Sequence, residues 1–219
     1  MVDLRLLTFN LIKMNQKTIS FILWPVIIIL AWFVYRSPIS LKEFQEESNY
    51  RKSAVVQSLK DIRTAQVAYK DKYRVYADNF NSLLNFVNND SIALIKAIGE
   101  TPDSLSEEQA LEAGIISRDT VFMSAGESIF SAEYLNTRDE RFTFDLNNLS
   151  EVPFSEGEQF SIKAGNIEKG KVIVQVFEAS TTYATFLKGI DANNKGIDLE
   201  DIIRVGSMSE ASINGNWGE

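Results

Sequence analysis

The chain contains no cysteine and no histidine. These two absences remove thiolate nucleophiles, disulfides, zinc-finger ligand sets and every catalytic triad built on imidazole. They also remove an imidazole pH switch. Proline is scarce, with 4 residues in 219, and none interrupts 39–101. There is no Gly-x-Ser-x-Gly elbow, and no glycine-rich phosphate loop leads into Lys-Ser/Thr. Ser124 and Ser128 therefore have no general base of the usual kind. An oxygen-ligand metal site remains open, because Asp, Glu and Asn are plentiful.

Positive charge is the minority sign, with 22 Lys and Arg against 30 Asp and Glu and a net charge of -8. Residues 1–17 carry Arg5, Lys13 and Lys17 against Asp3, and Arg36 is the sole charge in 18–36, so 37–219 holds a net -11. A body that acidic is repelled by nucleic acid and by anionic headgroups, and no nucleic-acid partner is expected. Hydrophobic residues make up 45% of the chain and charged ones 24%, a balance that supports a folded core.

Against this background one run is conspicuous. From Thr18 to Tyr35 the chain carries no charge and is mostly Ile, Leu, Val, Phe and Trp. Eighteen helical residues at about 1.5 Å each reach roughly 27 Å, close to the core of a thin bilayer. Trp32, Phe33 and Tyr35 beside Arg36 form an interfacial pattern. Pro25 suits a membrane helix better than a soluble one. Lys13 and Lys17 precede the run, which places the N-terminus in the cytoplasm and the rest outside. No small-x-small cleavage site follows, so the run reads as an uncleaved signal anchor. Met14-Asn-Gln-Lys-Thr is a normal start for such an anchor. Residues 1–13 read either as a consequence of start-codon choice or as a short cytoplasmic amphipathic lead.

The expected organisation is a cytoplasmic N-terminus over 1–17, a transmembrane anchor over 18–36, a charged stalk over 37–54 and a periplasmic domain over 55–219. Ser37-Pro38 is expected to end the membrane helix, with Ser40 capping another from about Leu41 to Tyr76. There Val55, Leu59, Ile62, Gln66, Tyr69, Tyr73 and Tyr76 recur at steps of four and three, one helical face. Asp78 is read as the N-cap of a short helix carrying Phe80, Leu83, Leu84 and Val87, which breaks at Asn88-Asn89-Asp90. Ser91–Ile98 reads as continued helix. Ser106-Glu-Glu-Gln109 reads as a capping box whose helix stops at Gly114.

Beyond Ile115 the period changes. Strands are expected at Thr120–Ser124, Ser128–Phe130, Arg141–Leu146, Gln159–Ala164, Lys171–Ala179 and Ile202–Val205, with turns at Gly126 and between Gly165 and Gly170. A helix is expected over Ser180–Leu187, with Ser180 or Thr181 as its cap. Helices first and strands afterwards define an α+β fold, in which an N-terminal transmembrane helix continues into an outer helix packed against a mostly antiparallel sheet.

The strongest metal-like pattern is Asp191-Ala-Asn193-Asn-Lys195-Gly196-Ile-Asp198. Asp at the first position, Asn at the third and Gly at the sixth resemble the opening of a calcium loop. Lys195 stands where an oxygen ligand is needed, and Ile202 occupies the closing position, so a polar turn competes with a calcium site made by Asp191, Asn193 and Asp198. Asp139/Glu140 and Glu156/Glu158 read as solvated acidic loops rather than catalytic pairs. Tyr69, Tyr73 and Tyr76 read as core in preference to an aromatic binding surface. Trp217 reads either as core or as a docking anchor. No cofactor site and no catalytic residue is expected.

A membrane helix, an outer helix, the segment Tyr69-x-x-x-Tyr73-x-x-Tyr76-Ala-Asp-x-Phe80-x-x-Leu83-Leu84 and then a sheet together resemble type IV pilin-like proteins, especially pseudopilins. That resemblance implies a stem helix, a packed sheet and self-association in a secretion or pilus-type apparatus. Asn15-Gln-Lys-Thr-Ile-Ser-Phe21 lacks the prepilin cleavage motif and its glutamate. Val56–Asp71, Gly114–Val121 and Val205–Ala211 are similar to an uncharacterised group of bacterial single-pass envelope proteins, which implies no activity. The expected function is a non-enzymatic interaction or scaffold protein, anchored in the inner membrane and facing other envelope proteins in the periplasm.

Overall fold

The computed structural model describes residues 16–99, 106–193 and 195–218, apart from the side chains of 16–19, 22, 33–40, 94–97, 107 and 118. The elements are α1 (Gln16–Tyr73), α2 (Phe80–Asn89), β1 (Ser91–Ile98), α3 (Glu107–Glu112), β2 (Ser117–Ser124), α4 (Ala125–Ile129) and α5 (Ala132–Leu135). They continue with a 3-10 turn (Leu146–Asn148), β3 (Ser161–Lys169), β4 (Val172–Thr182), α6 (Tyr183–Phe186) and β5 (Ile202–Gly206). The fold class is α+β, and every strand pairing is antiparallel. β1 and β2 form a two-stranded sheet, and β3-β4-β5 a three-stranded one.

Contacts divide the chain into two units, Met1–Asn49 with Asp191–Gly196, and Tyr50–Ile190 with Ile197–Glu219. α1 contributes to both. It does not end at Ser37-Pro38 as expected, but runs as one helix of 58 residues. A proline inside a helix removes one N–H bond and crowds the preceding turn. Good helix formers on both sides, such as Leu41-Lys-Glu after Pro38, carry the helix through.

In the first unit, Phe21 is 86% exposed, Trp24 63% and Trp32 53%. The described side chains between Ser20 and Trp32 are all exposed, and consecutive residues at about 100° per step cover every face of the helix. Among the described residues, no helix is long and apolar enough to cross a membrane. Part of the expected anchor (residues 18, 19, 22 and 33–36) lies outside the described side chains. Further along, Phe44 and Ser48 are buried, so 41–54 is not uniformly solvated.

In the second unit, the periodic face of α1 does what its spacing dictates. Val55, Leu59, Ile62 and Ala65 are fully buried in a core shared with Phe177 and Ala179 of β4 and Ile203 and Val205 of β5. Full burial of each large side chain is worth about 1.5–3 kcal/mol. Gln66 lies on the same face and is fully buried. Its Nε2 donates to the Ala77 carbonyl at 2.8 Å, and its Oε1 accepts from the Ala77 N–H at 2.9 Å. One side chain thus satisfies both polar groups of the returning backbone and fixes the turn after α1.

α2 begins one residue later than expected. Asn79, not Asp78, is its cap, accepting from the Ser82 N–H at 2.8 Å. Asp78 instead accepts from the Asn79 amide at 2.6 Å. Phe80, Leu83, Phe86 and Val87 bury the inner face of this helix. The Ser106/Gln109 capping box is present and opens α3.

Several elements differ from expectation. Ser91–Ile98 is a strand, because its Ile and Leu residues pair in register with Ser117–Ser124 rather than extend α2 past Asp90. Ser128–Phe130 is no strand: 125–129 form a helical turn tied down by the Ala125 N–H to the Asp90 carbonyl at 2.8 Å. Arg141–Leu146 stays irregular, with Phe142 and Phe144 half-buried. Gly165 lies inside β3, and the turn is made by Gly170 and Lys171, both at positive φ of 59° and 67°. That pair defines a two-residue hairpin whose twist matches its strands. Ser180–Thr182 belong to β4, so the helix there shortens to Tyr183–Phe186. Lys171–Ala179 was expected to be covered on both faces, but only its inner end is, since Val172 and Ile173 are exposed.

Candidate functional site

The calcium-like loop resolves into local turns. Asp191 Oδ1 accepts from the Asn193 N–H at 3.1 Å and from its side-chain amide at 2.9 Å. Asp198 Oδ1 accepts from the Glu200 N–H at 3.0 Å. Each carboxylate is thereby aimed at its own backbone, the usual use of Asp and Asn in turns. Among the described residues, no group of three or more acidic side chains is placed to hold a metal ion.

The tyrosine segment separates into three roles. Tyr76 is buried, with its ring 4.7 Å from that of Phe177. Tyr69 packs edge-on against Phe86 at 5.3 Å. Tyr73 is exposed, and its hydroxyl donates to Asp90. Lys72 completes this cluster: its Nζ lies 2.9 Å from Asp90 Oδ2 and donates to the Ser91 carbonyl at 3.0 Å. The hydrogen bond from Tyr73, then the one from Lys72, holds the Asp90 carboxyl below its ordinary range. The same bond to Asp90 raises the Tyr73 phenol.

Lys72 of this cluster also lines a groove of about 480 Å³ between the end of α1 and strands β1 and β2. Ala68, Asp71, Lys72, Ile92, Ala93 and Phe122 line it. Phe122 is 72% exposed, and Val121 and Met123 beside it are also exposed. The groove thus combines apolar side chains with the charged Asp71 and Lys72.

A second constellation had no signal in the sequence. Asp61 on α1 is buried and receives Arg138 Nε at 3.0 Å and Arg138 Nη2 at 2.9 Å. The Tyr134 hydroxyl donates to Asp61 Oδ1 at 2.8 Å, and the Gln57 amide donates to the same oxygen at 3.1 Å. Burial, above all, pushes the Tyr134 phenol far up. Every partner here is satisfied, which fits a structural clamp joining α1 to the segment 131–144. Spacing in sequence could suggest neither the pair nor its partners.

Of the two carboxylate pairs, Asp139, Glu156 and Glu158 each face a cation. Asp139 is held down to about 2 by its hydrogen bonds from Arg141. Glu156 is lowered by Lys188, 2.8 Å away. Both are surface ion pairs. Trp217 packs against the core, and its Nε1 is buried without an acceptor among the described residues.

No family model, no curated protein and no solved structure matches this chain.

Proposed function

We propose that the chain is a non-catalytic interaction or scaffold protein, held in the inner membrane by 18–35 with its C-terminal domain in the periplasm. The observation that carries this reading is the exposed apolar surface of α1. Nine large apolar side chains between Phe21 and Trp32 stand exposed. Leaving such a surface in water costs on the order of 10 kcal/mol, which a lipid or helical environment removes. Lys13 and Lys17 directly before the run support the orientation. The groove beside Phe122 supports docking by other envelope proteins.

Orientation is tested with single cysteines, which are unique in a chain without native ones. Cysteine at Ser212 reacts with a membrane-impermeant maleimide in intact spheroplasts, whereas cysteine at Lys13 reacts only after lysis. The reverse pattern removes the reading.

A pseudopilin-like role is the second reading. It is supported by one continuous helix whose C-terminal half packs on an antiparallel sheet. Cysteines along the 18–35 helix crosslink between copies if it holds, and stay monomeric if it does not.

A further inference from the structure

The segment after β5 folds back along that strand and closes its outer edge. The Gly206 N–H donates to the Asn214 carbonyl at 3.0 Å and the Asn216 N–H to the Arg204 carbonyl at 3.1 Å, around the bridge of Val205 with Gly215. The Asn216 side chain adds two bonds: its Oδ1 accepts from the Arg204 N–H at 2.9 Å, and its Nδ2 donates to the Ile202 carbonyl at 2.7 Å. These bonds occupy backbone groups that a strand edge otherwise leaves open. Trp217 follows and packs against the core.

Asn214 and Gly215 within this segment form the one Asn-Gly dipeptide of the chain. Asn214 is exposed, and among the described residues nothing bonds its side-chain amide. The Asn216 amide, two residues on, is held through both its oxygen and its nitrogen. Position 215 is closed to a side chain while Trp217 is packed, because a Cβ built there falls 2.2 Å from Trp217 Cζ2. Glycine in turn leaves its own amide nitrogen without a side chain to shield it. The bridge uses the carbonyl of Asn214 and the N–H of Asn216, so the N–H of Gly215 points away from β5.

We propose that Asn214 is a self-modifying site, at which ageing of the chain releases this segment from β5. The Gly215 nitrogen attacks Asn214 Cγ. The N–Cγ bond forms, the Cγ–Nδ2 bond breaks, and the displaced proton leaves with Nδ2 as ammonia. Water then opens the cyclic imide at either carbonyl, and no oxidation state changes. Opening at Cγ gives aspartate with the backbone unaltered. Opening at the main-chain carbonyl gives isoaspartate, whose chain runs through Cβ and Cγ and is one atom longer. Extended backbone holds Cγ off the nitrogen, so the reaction proceeds when the lone bridge opens, an event far cheaper than global unfolding. In the isoaspartyl product the carbonyl that accepted from Gly206 has become a pendant carboxylate, and Asn216 is out of register with Arg204. The outer edge of β5 and Trp217 are then uncovered.

The test ages the full chain, solubilised in detergent, in mildly alkaline buffer and maps it by mass spectrometry. Deamidation with isoaspartate is expected at residue 214, with Asn216 intact. Asn214→Gln, which cyclises far more slowly, is expected to stay unmodified. Hydrogen exchange at the amides of Arg204, Gly206 and Asn216 reads the release. It is expected to speed roughly tenfold in the isoaspartyl form, an opening made easier by about 1.4 kcal/mol. Freshly purified Asn214→Asp, with its backbone unaltered, is expected to keep wild-type protection. Asn214 that deamidates no faster than Asn216, an isoaspartyl chain that keeps its protection, or equal loss of protection in Asn214→Asp overturns the proposal. None of these outcomes bears on the anchored reading, which the site does not use.

Discussion

Arg138 closes a two-pronged ion pair on Asp61 across 77 residues of chain, with both side chains almost entirely out of solvent. Removing one partner leaves the other charge buried and uncompensated. Arg138→Ala is therefore expected to cost about 3–5 kcal/mol, whereas the double replacement Asp61→Leu/Arg138→Met costs less than either single change. Urea unfolding of the detergent-solubilised chain reads both. Equal losses for single and double variants contradict the pairing.

Gln66 gives a second expectation. Gln66→Leu preserves volume but strands the N–H and carbonyl of Ala77 in the core. Each unsatisfied group costs about 1–3 kcal/mol, so this hydrophobic-for-polar change is destabilising. An unchanged unfolding midpoint refutes the two-bond geometry.

Gly206 has φ of 75°, and a Cβ built there falls 2.3 Å from the Phe177 carbonyl oxygen. Gly206→Ala is expected to break the β4–β5 ladder locally and lower the melting temperature. Gly157→Ala, with open space around its Cβ, is the control for positive φ alone.

The pH dependence of Asp90 follows from its lowered carboxyl. A folded value below the unfolded one adds stability that is present above the ordinary 3.8 and is lost as pH falls through the lower folded value. The site is near the surface, so the gain is about 0.2–1 kcal/mol. The melting temperatures of wild type and Asp90→Asn are expected to differ at pH 6 and converge near the acid limit. A constant difference contradicts this.

For the loop at Asp191, Asn193 and Asp198, internal hydrogen bonds predict no change in melting temperature at millimolar calcium. A rise of several degrees would assign a metal there.

The parts of the fold legible in the sequence were those with their own period. Val55, Leu59 and Ile62 announce a buried face at helical spacing, and Phe160, Ile162 and Ala164 announce strand β3. The Ser106/Gln109 box is a local hydrogen-bond pattern and reads directly. Ser91–Ile98 did not read correctly, because Ile-Ala-Leu-Ile suits a helix or a strand and its partner strand begins only at Ser117. The 125–129 turn was hidden for a similar reason, since the bond that fixes it comes from Asp90. Of the sites, Asp191 and Asn193 were visible as turn formers. Neither the groove beside Phe122 nor the Asp61–Arg138 clamp was visible, since both exist only through tertiary contact.

Alkaline carbonate extraction of membranes tests the proposed anchor most directly. The full chain is expected to stay in the membrane pellet at pH 11 and leave only with detergent, whereas Ile27→Lys with Ile29→Lys is released. Release of the unaltered chain by carbonate alone would contradict a membrane-held function.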